Sequence, residues 1–166
     1  MIDFEAALKA LADAGVNFII VGGYAAAAHG SAQITKDLDI CYERSTENQT
    51  RLAASLIALH ARLRDVPEGL PFVLDRQAIA QGMNFTLTTD VGDIDVFGEL
   101  PGVGQFADLA RDAVAMELYG STFRVASLGA LIQSKRAVGR PKDLNALSEL
   151  EALQELDTHR KSNKKS

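Results

Sequence analysis

The chain has 166 residues, a formal net charge of −5 and a hydrophobic fraction of 47%, which together are typical of one globular domain around a single core. No apolar run reaches the roughly 18–20 residues needed to cross a bilayer, and the acidic N-terminus MIDFEAALKA lacks the basic start of a signal peptide. With Cys41 as its single cysteine, the chain is expected to be a cytoplasmic protein without disulfides or membrane association.

Charge is unevenly distributed along the chain. The net acidity argues against a general nucleic-acid binder, but basic residues concentrate at 135–142 and in the tail HRKSNKKS at 159–166. The tail has no apolar residue to bury and is predicted to be disordered, so we expect one domain over 1–158. A role of the tail in contacting RNA phosphates is the alternative interpretation.

The apolar patterns predict helices and short strands in alternation, beginning with a helix that Asp3 caps and Gly15 ends. A strand over 17–21 leads through Gly22 and Gly23 into a short helix over 24–29. The further predictions are a strand over 37–43, a helix over 46–64, a hairpin over 85–98, a helix over 106–117, a strand over 122–126 and helices over 127–138 and 143–156. About five short strands flanked by helices indicate an α/β (α+β) fold with a mixed sheet.

Two segments place aspartates at alternate positions of a strand. In DLDI, Asp37 and Asp39 alternate with apolar residues and so share one face of the strand. Two adjacent carboxylates repel each other unless they are hydrated or neutralised, so the pair indicates either an exposed polar face or a site for a divalent cation. GDIDVFG repeats the pattern with Asp93 and Asp95, and three carboxylates from two strands can hold two Mg²⁺ ions for phosphoryl transfer.

The double glycine at 22–23 lies between a predicted strand and a predicted helix. Glycines at such a turn let backbone N–H groups approach an anion such as phosphate, although a tight turn into a packed helix needs them equally. The third glycine of the dinucleotide-binding fingerprint is missing and the spacing of a P-loop is absent. An NAD-binding domain is therefore disfavoured.

Taken together, Gly22-Gly23, the DLD motif at 37–39 and a later carboxylate in an IDV setting resemble the nucleotidyltransferase superfamily related to DNA polymerase beta. The resemblance covers roughly residues 15–100. The stretch LIQSKRAVGRPKDLNAL at 131–147 extends it, because it resembles the C-terminal part of small bacterial members, including toxins of toxin–antitoxin pairs. The resemblance implies a minimal nucleotidyltransferase fold and a Mg²⁺-dependent reaction, with two ions and Mn²⁺ as a substitute.

The resemblance also assigns roles to individual residues. Asp37 and Asp39 match the metal-binding pair, and Asp95 matches the third carboxylate, which binds one metal and helps to deprotonate the acceptor hydroxyl. We choose Asp95 over Asp93 because Ile94 and Val96 flank it, whereas Asp93 adjoins the Gly92 turn and is expected to be a turn residue. The nucleotide-binding positions that we predict are Gly22, Gly23, Tyr24, Lys36, Lys135, Arg140 and Lys142. Lys135, Arg140 and Lys142 also have a structural interpretation, in which they belong to an exposed helix face and to the capped start of the last helix.

The sequence also departs from the pattern of the family. Tyr24 follows the glycines, and the Gly-Ser form of the turn, whose hydroxyl can bind phosphate, is not used here. Gln33 stands where many members of the family that this sequence resembles have Arg in an R-x-T-x-D stretch. Both departures bear on nucleotide binding and leave the carboxylates untouched. The implied reaction moves a nucleoside monophosphate from an NTP to a hydroxyl acceptor (RNA, protein or a small molecule), with an antitoxin protein as a further partner. A catalytically silent nucleotide- or partner-binding module with the same fold is the alternative.

Overall fold

The computed structural model describes residues 1–67, 69–70 and 72–165. Its centre is a mixed sheet of seven strands in the order β3-β4-β5-β2-β1-β9-β8, and a separate two-stranded sheet pairs β6 with β7. The strands are β1 (Phe18–Val21), β2 (Asp37–Tyr42), β3 (Arg62–Leu63), β4 (Asn84–Thr89), β5 (Gly92–Phe97), β6 (Glu99–Leu100), β7 (Gly104–Gln105), β8 (Val114–Leu118) and β9 (Ser121–Val125). The helices are α1 (Phe4–Asp13), α2 (Gly22–Ala28), α3 (Thr46–Ala58), α4 (Arg76–Gln81), α5 (Phe106–Ala110), α6 (Leu128–Val138) and α7 (Pro141–Asn163).

The predicted α/β (α+β) architecture is confirmed, with more strands than the expected five. In the large sheet, β2 pairs with β5 and β1 with β9 in parallel, and the other neighbouring strands are antiparallel. All four residues of β1 are buried, so helices and loops cover the sheet on both faces at its centre. In β2, by contrast, Leu38 and Ile40 are buried while Asp37 and Asp39 are only partly covered.

Local sequence signals account for where several elements begin. The side chains of Asp3, Ser45 and Ser127 each accept a hydrogen bond from a backbone N–H in the first turn of α1, α3 and α6, which is the usual N-cap arrangement. The β4–β5 hairpin closes through Asp90 and Val91, since Thr89 pairs with Gly92. The predicted Asp3 cap and the hairpin expected over 85–98 are confirmed.

Two helices are shorter than predicted because strand pairing takes over part of their sequence. The helix expected over 106–117 ends at Ala110, and β8 then forms an antiparallel hairpin with β9. Its turn is Tyr119-Gly120, with φ angles of 53° and 79°, a left-handed pair that suits a two-residue hairpin loop. The helix expected over 46–64 ends at Ala58. After it, β3 supplies the edge of the sheet and pairs with β4.

The C-terminal helix is longer than predicted. α7 continues to Asn163, so most of the tail at 159–166 that was expected to be disordered is helical, and its residues up to Lys165 are exposed. An i,i+4 ion pair between Lys161 Nζ and Asp157 Oδ2, at 3.1 Å, supports this last part of the helix. Ser166 lies outside the described residues. In the part of the chain that the structure describes, no helix combines the length and the apolar character that crossing a membrane requires.

Candidate active site

Three carboxylates converge on the partly open face of the sheet. The parallel register of β2 and β5 sets Asp37 opposite Asp93 and Asp39 opposite Asp95. Carboxylate oxygens of Asp37, Asp39 and Asp95 all lie within 4.8 Å of one another. Such a group of oxygen ligands suits a hard divalent cation such as Mg²⁺ or Mn²⁺.

Asp93 belongs to the strand and not to the turn, which corrects the expectation from its position beside Gly92. It pairs with Thr88 across the β4–β5 hairpin, and its Oδ1 accepts a hydrogen bond of 3.1 Å from Thr88 Oγ1. Asp93 therefore shares the face of the carboxylate group but is bonded toward β4. Asp95 is the β5 residue whose carboxylate joins Asp37 and Asp39.

Asp39 is the electrostatic centre of the group. Burial, and secondarily the charges of Asp37 and Asp95, raises its pKa from an ordinary value of 3.8 to about 8. Its Oδ1 atom is buried and has no hydrogen-bond partner among the described residues. A buried carboxylate oxygen without a donor is costly on its own, and a bound cation would satisfy it. The residues present therefore fit a divalent cation.

Gly22 permits the close approach of Asp39 to the first turn of α2. A Cβ atom at position 22 would lie 2.0 Å from Asp39 Oδ2, and the glycine adopts a φ of +67°. At the neighbouring Gly23, a Cβ would lie 2.9 Å from Thr35 Oγ1. Close packing against Asp39 and Thr35 therefore requires both glycines, in addition to the phosphate contact expected from the sequence.

Arg64 was not recognised from the sequence, yet it contacts the carboxylates directly. Its Nη2 donates hydrogen bonds of 2.7 Å to Asp95 Oδ1 and to the backbone oxygen of Leu87, and its Nε lies 3.3 Å from Asp93 Oδ2. Burial raises the pKa of Asp95, and the hydrogen bond and charge of Arg64 oppose this effect. No sequence motif marked this residue, because it directly follows β3, an edge strand that the sequence did not predict.

The basic residues predicted near the C-terminus meet at a second carboxylate. Asp143 is buried at the start of α7, with a side chain that is 4% exposed. Arg140 Nε lies 2.7 Å from its Oδ2, and Lys135 Nζ lies 3.4 Å from its Oδ1. Burial alone would raise the pKa of Asp143, but its bonds with Arg140 and Lys135 outweigh this effect and hold the pKa below its usual value. Asp143 thus holds the side chains of Lys135 and Arg140 close together at the α6–α7 junction.

One large cavity, of about 740 Å³, joins most of the predicted site residues. Its lining includes Asp37, Asp39, Asp95, Gly22, Gly23, Lys36, Lys135, Arg140, Lys142 and Asp143. The volume lies in the range of sites for nucleotide-sized ligands.

Tyr24 is the predicted nucleotide-binding residue that the structure does not bring to the cavity. Its ring stacks on Phe4 of α1 with 4.3 Å between ring centroids, and its hydroxyl donates to Tyr119 Oη at 3.3 Å. The assignment of Tyr24 to nucleotide binding is therefore not supported by its position, since α2 turns this side chain toward α1.

Comparison with known proteins gives matches at the level of structure. No family model matches the sequence, and no curated protein matches it. A protein of Thermotoga maritima named as a candidate nucleotidyltransferase is 17% identical with a TM-score of 0.52, over 100% of this chain and 97% of the other. The antibiotic-resistance factor ANT(2'')-Ia is 16% identical in two structures. Its solution structure gives a TM-score of 0.52 over 98% of this chain and 92% of that protein. Its crystal structure with adenylyl-2''-tobramycin gives 0.53 over 95% of each chain.

These similarities extend over nearly the whole chain and include the strands that carry the three carboxylates. Identities of 16–17% make them evidence about architecture. The chain therefore has the fold of the nucleotidyltransferases.

Proposed function

We propose that the chain is a metal-dependent nucleotidyltransferase that moves a nucleoside monophosphate from an NTP to a hydroxyl acceptor and releases pyrophosphate. The observation that carries the proposal is the group of Asp37, Asp39 and Asp95 within 4.8 Å, beside a glycine turn and a cluster of cations in one cavity. A nucleoside triphosphate needs both features, since its phosphates are anionic and its transfer depends on positioning and charge stabilisation.

Asp37, Asp39 and Asp95 would hold the cations in this proposal, and the unpartnered Oδ1 of Asp39 supports that role. Bound Mg²⁺ or Mn²⁺ would supply neutralisation of phosphate charge and activation of a hydroxyl, as in two-metal phosphoryl transfer. We place two ions here by the resemblance of the sequence to the superfamily.

The remaining roles follow from where the side chains lie. The backbone of Gly22 and Gly23, together with Lys135, Arg140 and Lys142, would contact the triphosphate from the side of α2 and the α6–α7 junction. Lys36 lines the same cavity beside Asp37.

Asp95 would orient the acceptor hydroxyl and accept its proton at a carboxylate oxygen. Its raised pKa brings the group closer to the range in which a carboxylate acts as a base at neutral pH.

The acceptor is the least constrained part of the proposal. The sequence leaves RNA, protein and small molecules open. The structure of ANT(2'')-Ia with adenylyl-2''-tobramycin supports a small molecule with a hydroxyl group as the first acceptor class to test. The exposed basic residues at the end of α7 and directly after it (159–165) keep RNA as the second class.

The test is transfer of label from each of four α-³²P-labelled NTPs with Mg²⁺, in the presence of total RNA, total protein or a panel of aminoglycosides. We expect one NTP to label one acceptor class. The Asp39→Ala variant should lose Mg²⁺-dependent transfer while keeping its circular dichroism spectrum. The matched control is Asp90→Ala, which removes an exposed carboxylate of the β4–β5 turn and should leave transfer unchanged. Undiminished transfer by Asp39→Ala would contradict the proposal.

Thermal unfolding distinguishes the enzyme from a silent binding module with the same fold. An NTP that binds the folded chain raises its unfolding temperature, and the enzyme requires that this rise depend on a divalent cation. Stabilisation by nucleotide without any labelled product favours the binding module. No stabilisation by any NTP with Mg²⁺ or Mn²⁺ counts against both.

The toxin role, the antitoxin partner and the cytoplasmic location rest on the sequence alone. The toxin role comes from the resemblance at 131–147. Induced expression in a bacterial host tests it: a toxin arrests growth, and Asp39→Ala relieves the arrest. Co-purification with the product of an adjacent gene would then identify an antitoxin.

A further inference from the structure

Arg64 makes an ion pair that the proposed reaction does not use. Its Nη2 lies 2.7 Å from Asp95 Oδ1 and its Nε 3.3 Å from Asp93 Oδ2. The pair is largely shielded from water, because the side chains of Arg64 and Asp95 are 22% and 13% exposed. An ion pair in such surroundings interacts more strongly than one on the surface.

The backbone of Arg64 is fixed to the sheet, while its side chain is incompletely bonded. Its N–H donates to the oxygen of Thr86 at 3.0 Å, next to the end of β3. The guanidinium extends over β4 to β5, where Nη2 also donates to the Leu87 oxygen at 2.7 Å. Nε is buried and has no hydrogen-bond partner among the described residues. In this position the guanidinium charge is neutralised by two carboxylates, but one of its N–H groups lacks a hydrogen-bond acceptor.

We propose that Arg64 is an internal cation that neutralises Asp95 in the metal-free protein and competes with a divalent cation for this carboxylate. The inference rests on the proposed function. Asp95 Oδ1 accepts the short hydrogen bond from Arg64, and Asp95 is also one of the three carboxylates that lie within 4.8 Å of one another. A divalent cation bound there would meet a guanidinium that is already in contact with its ligand, and the two positive charges repel each other.

A second cavity beside Arg64 provides space into which its side chain can rotate. This cavity of about 510 Å³ is lined in part by Arg64, together with Arg62, Thr88 and apolar residues of the following loop such as Val66 and Leu70. Arg64 therefore contacts Asp95 and also borders this open space. Rotation of its side chain about the fixed backbone would release Asp95, so Arg64 acts on metal binding through this carboxylate.

Binding of Mn²⁺ to the purified protein without nucleotide, followed by the electron paramagnetic resonance signal of free Mn²⁺, tests the inference. Arg64→Met should bind Mn²⁺ about tenfold more tightly than the wild type, and Arg64→Lys, which keeps the charge, should remain within about twofold of it. Arg62→Met is the matched control, since it removes an arginine two residues earlier that also lines the second cavity, whereas the ion pair to Asp95 is made by Arg64. It should bind as the wild type does.

The effect must also depend on Asp95. In an Asp95→Asn background, Arg64→Met should increase the Mn²⁺ affinity much less than in the wild type, since competition for Asp95 is gone and only direct repulsion between the two cations remains. Thermal unfolding in EDTA monitors the fold of each variant. If Arg64→Met unfolds, Arg64→Gln replaces it, because the amide can still donate to the Leu87 oxygen.

Equal or weaker Mn²⁺ binding by Arg64→Met would overturn the inference, since it would mean that Arg64 orders Asp95 for the metal or has no influence on it. An increase of undiminished size in the Asp95→Asn background would overturn it as well. Failure of the proposed function has a different signature: neither the wild type nor any variant binds Mn²⁺, with or without a non-hydrolysable ATP analogue.

Discussion

The substitution Asp39→Asn gives a quantitative test of the electrostatics of the carboxylate group. In the folded chain the pKa of Asp39 is raised to about 8, chiefly by burial, whereas in the unfolded chain it returns to about 4. The folded state therefore binds the proton more tightly. The contribution of this group to stability is fully present below pH 4 and is lost as the pH rises toward 8.

The size of the effect follows from the shift. Each pH unit between the two pKa values lowers the free energy of unfolding by about 1.4 kcal/mol, so that on the order of 4 kcal/mol is lost between pH 4 and pH 7. Asparagine at position 39 has a similar shape and does not titrate. The difference in unfolding free energy between Asp39→Asn and the wild type should therefore grow in favour of the variant by about 1.4 kcal/mol for each pH unit from 5 to 7.

Urea denaturation of both proteins in EDTA at pH 5, 6, 7 and 8 measures this difference. Other titrating groups are common to both proteins, so most of their contribution cancels. A difference that stays constant over this range would refute the raised pKa of Asp39. With Mg²⁺ present the advantage of the variant should shrink at pH 8, because the wild type gains stability from a bound ion and the variant gains less. Below pH 8 the apparent Mg²⁺ affinity of the wild type should fall about tenfold per pH unit, since binding then releases the Asp39 proton.

Three further predictions concern positions around the cavity. Gly22→Ala should destabilise the fold by about 2 kcal/mol more than Gly120→Ala in urea denaturation. Both glycines have a positive φ, but a Cβ at position 22 collides with Asp39, whereas nothing lies within 4 Å of a Cβ at position 120. Equal losses would mean that the collision is relieved at no cost. Asp143→Ala should lower stability by about 2 kcal/mol and raise the KM for the NTP, because it releases the two cations that pair with it; an unchanged KM would separate these cations from phosphate binding. Tyr24→Phe should leave NTP affinity, measured by isothermal titration calorimetry, unchanged, because this ring stacks on α1 outside the cavity; weaker NTP binding would place it in the site after all.

The amino-acid sequence alone determined the parts of the site that lie on regular, locally encoded elements. Alternation of aspartate with apolar residues specifies two strands, each with its carboxylates on one face. The caps at Asp3 and Ser127 are likewise local, since each bond spans three residues. Such features depend on neighbours along the chain and can be predicted from them. The parallel pairing of β2 with β5, which brings Asp37, Asp39 and Asp95 together, is a contact between distant segments.

The tertiary structure decided everything that depends on contacts between distant segments. β3 and β8 form where an adjacent strand offers free backbone hydrogen-bonding groups, which overrides the helical periodicity of their sequences. Arg64 reaches Asp95 from 31 residues away, Tyr24 turns to Phe4, and Gly22 makes room for an Asp39 oxygen. The cause is the same in each case: the direction of a side chain is set by the packing of elements that are far apart in sequence, and no local pattern records that packing. The sequence indicated which carboxylates share one face of their strands, and the fold determined which cation faces them.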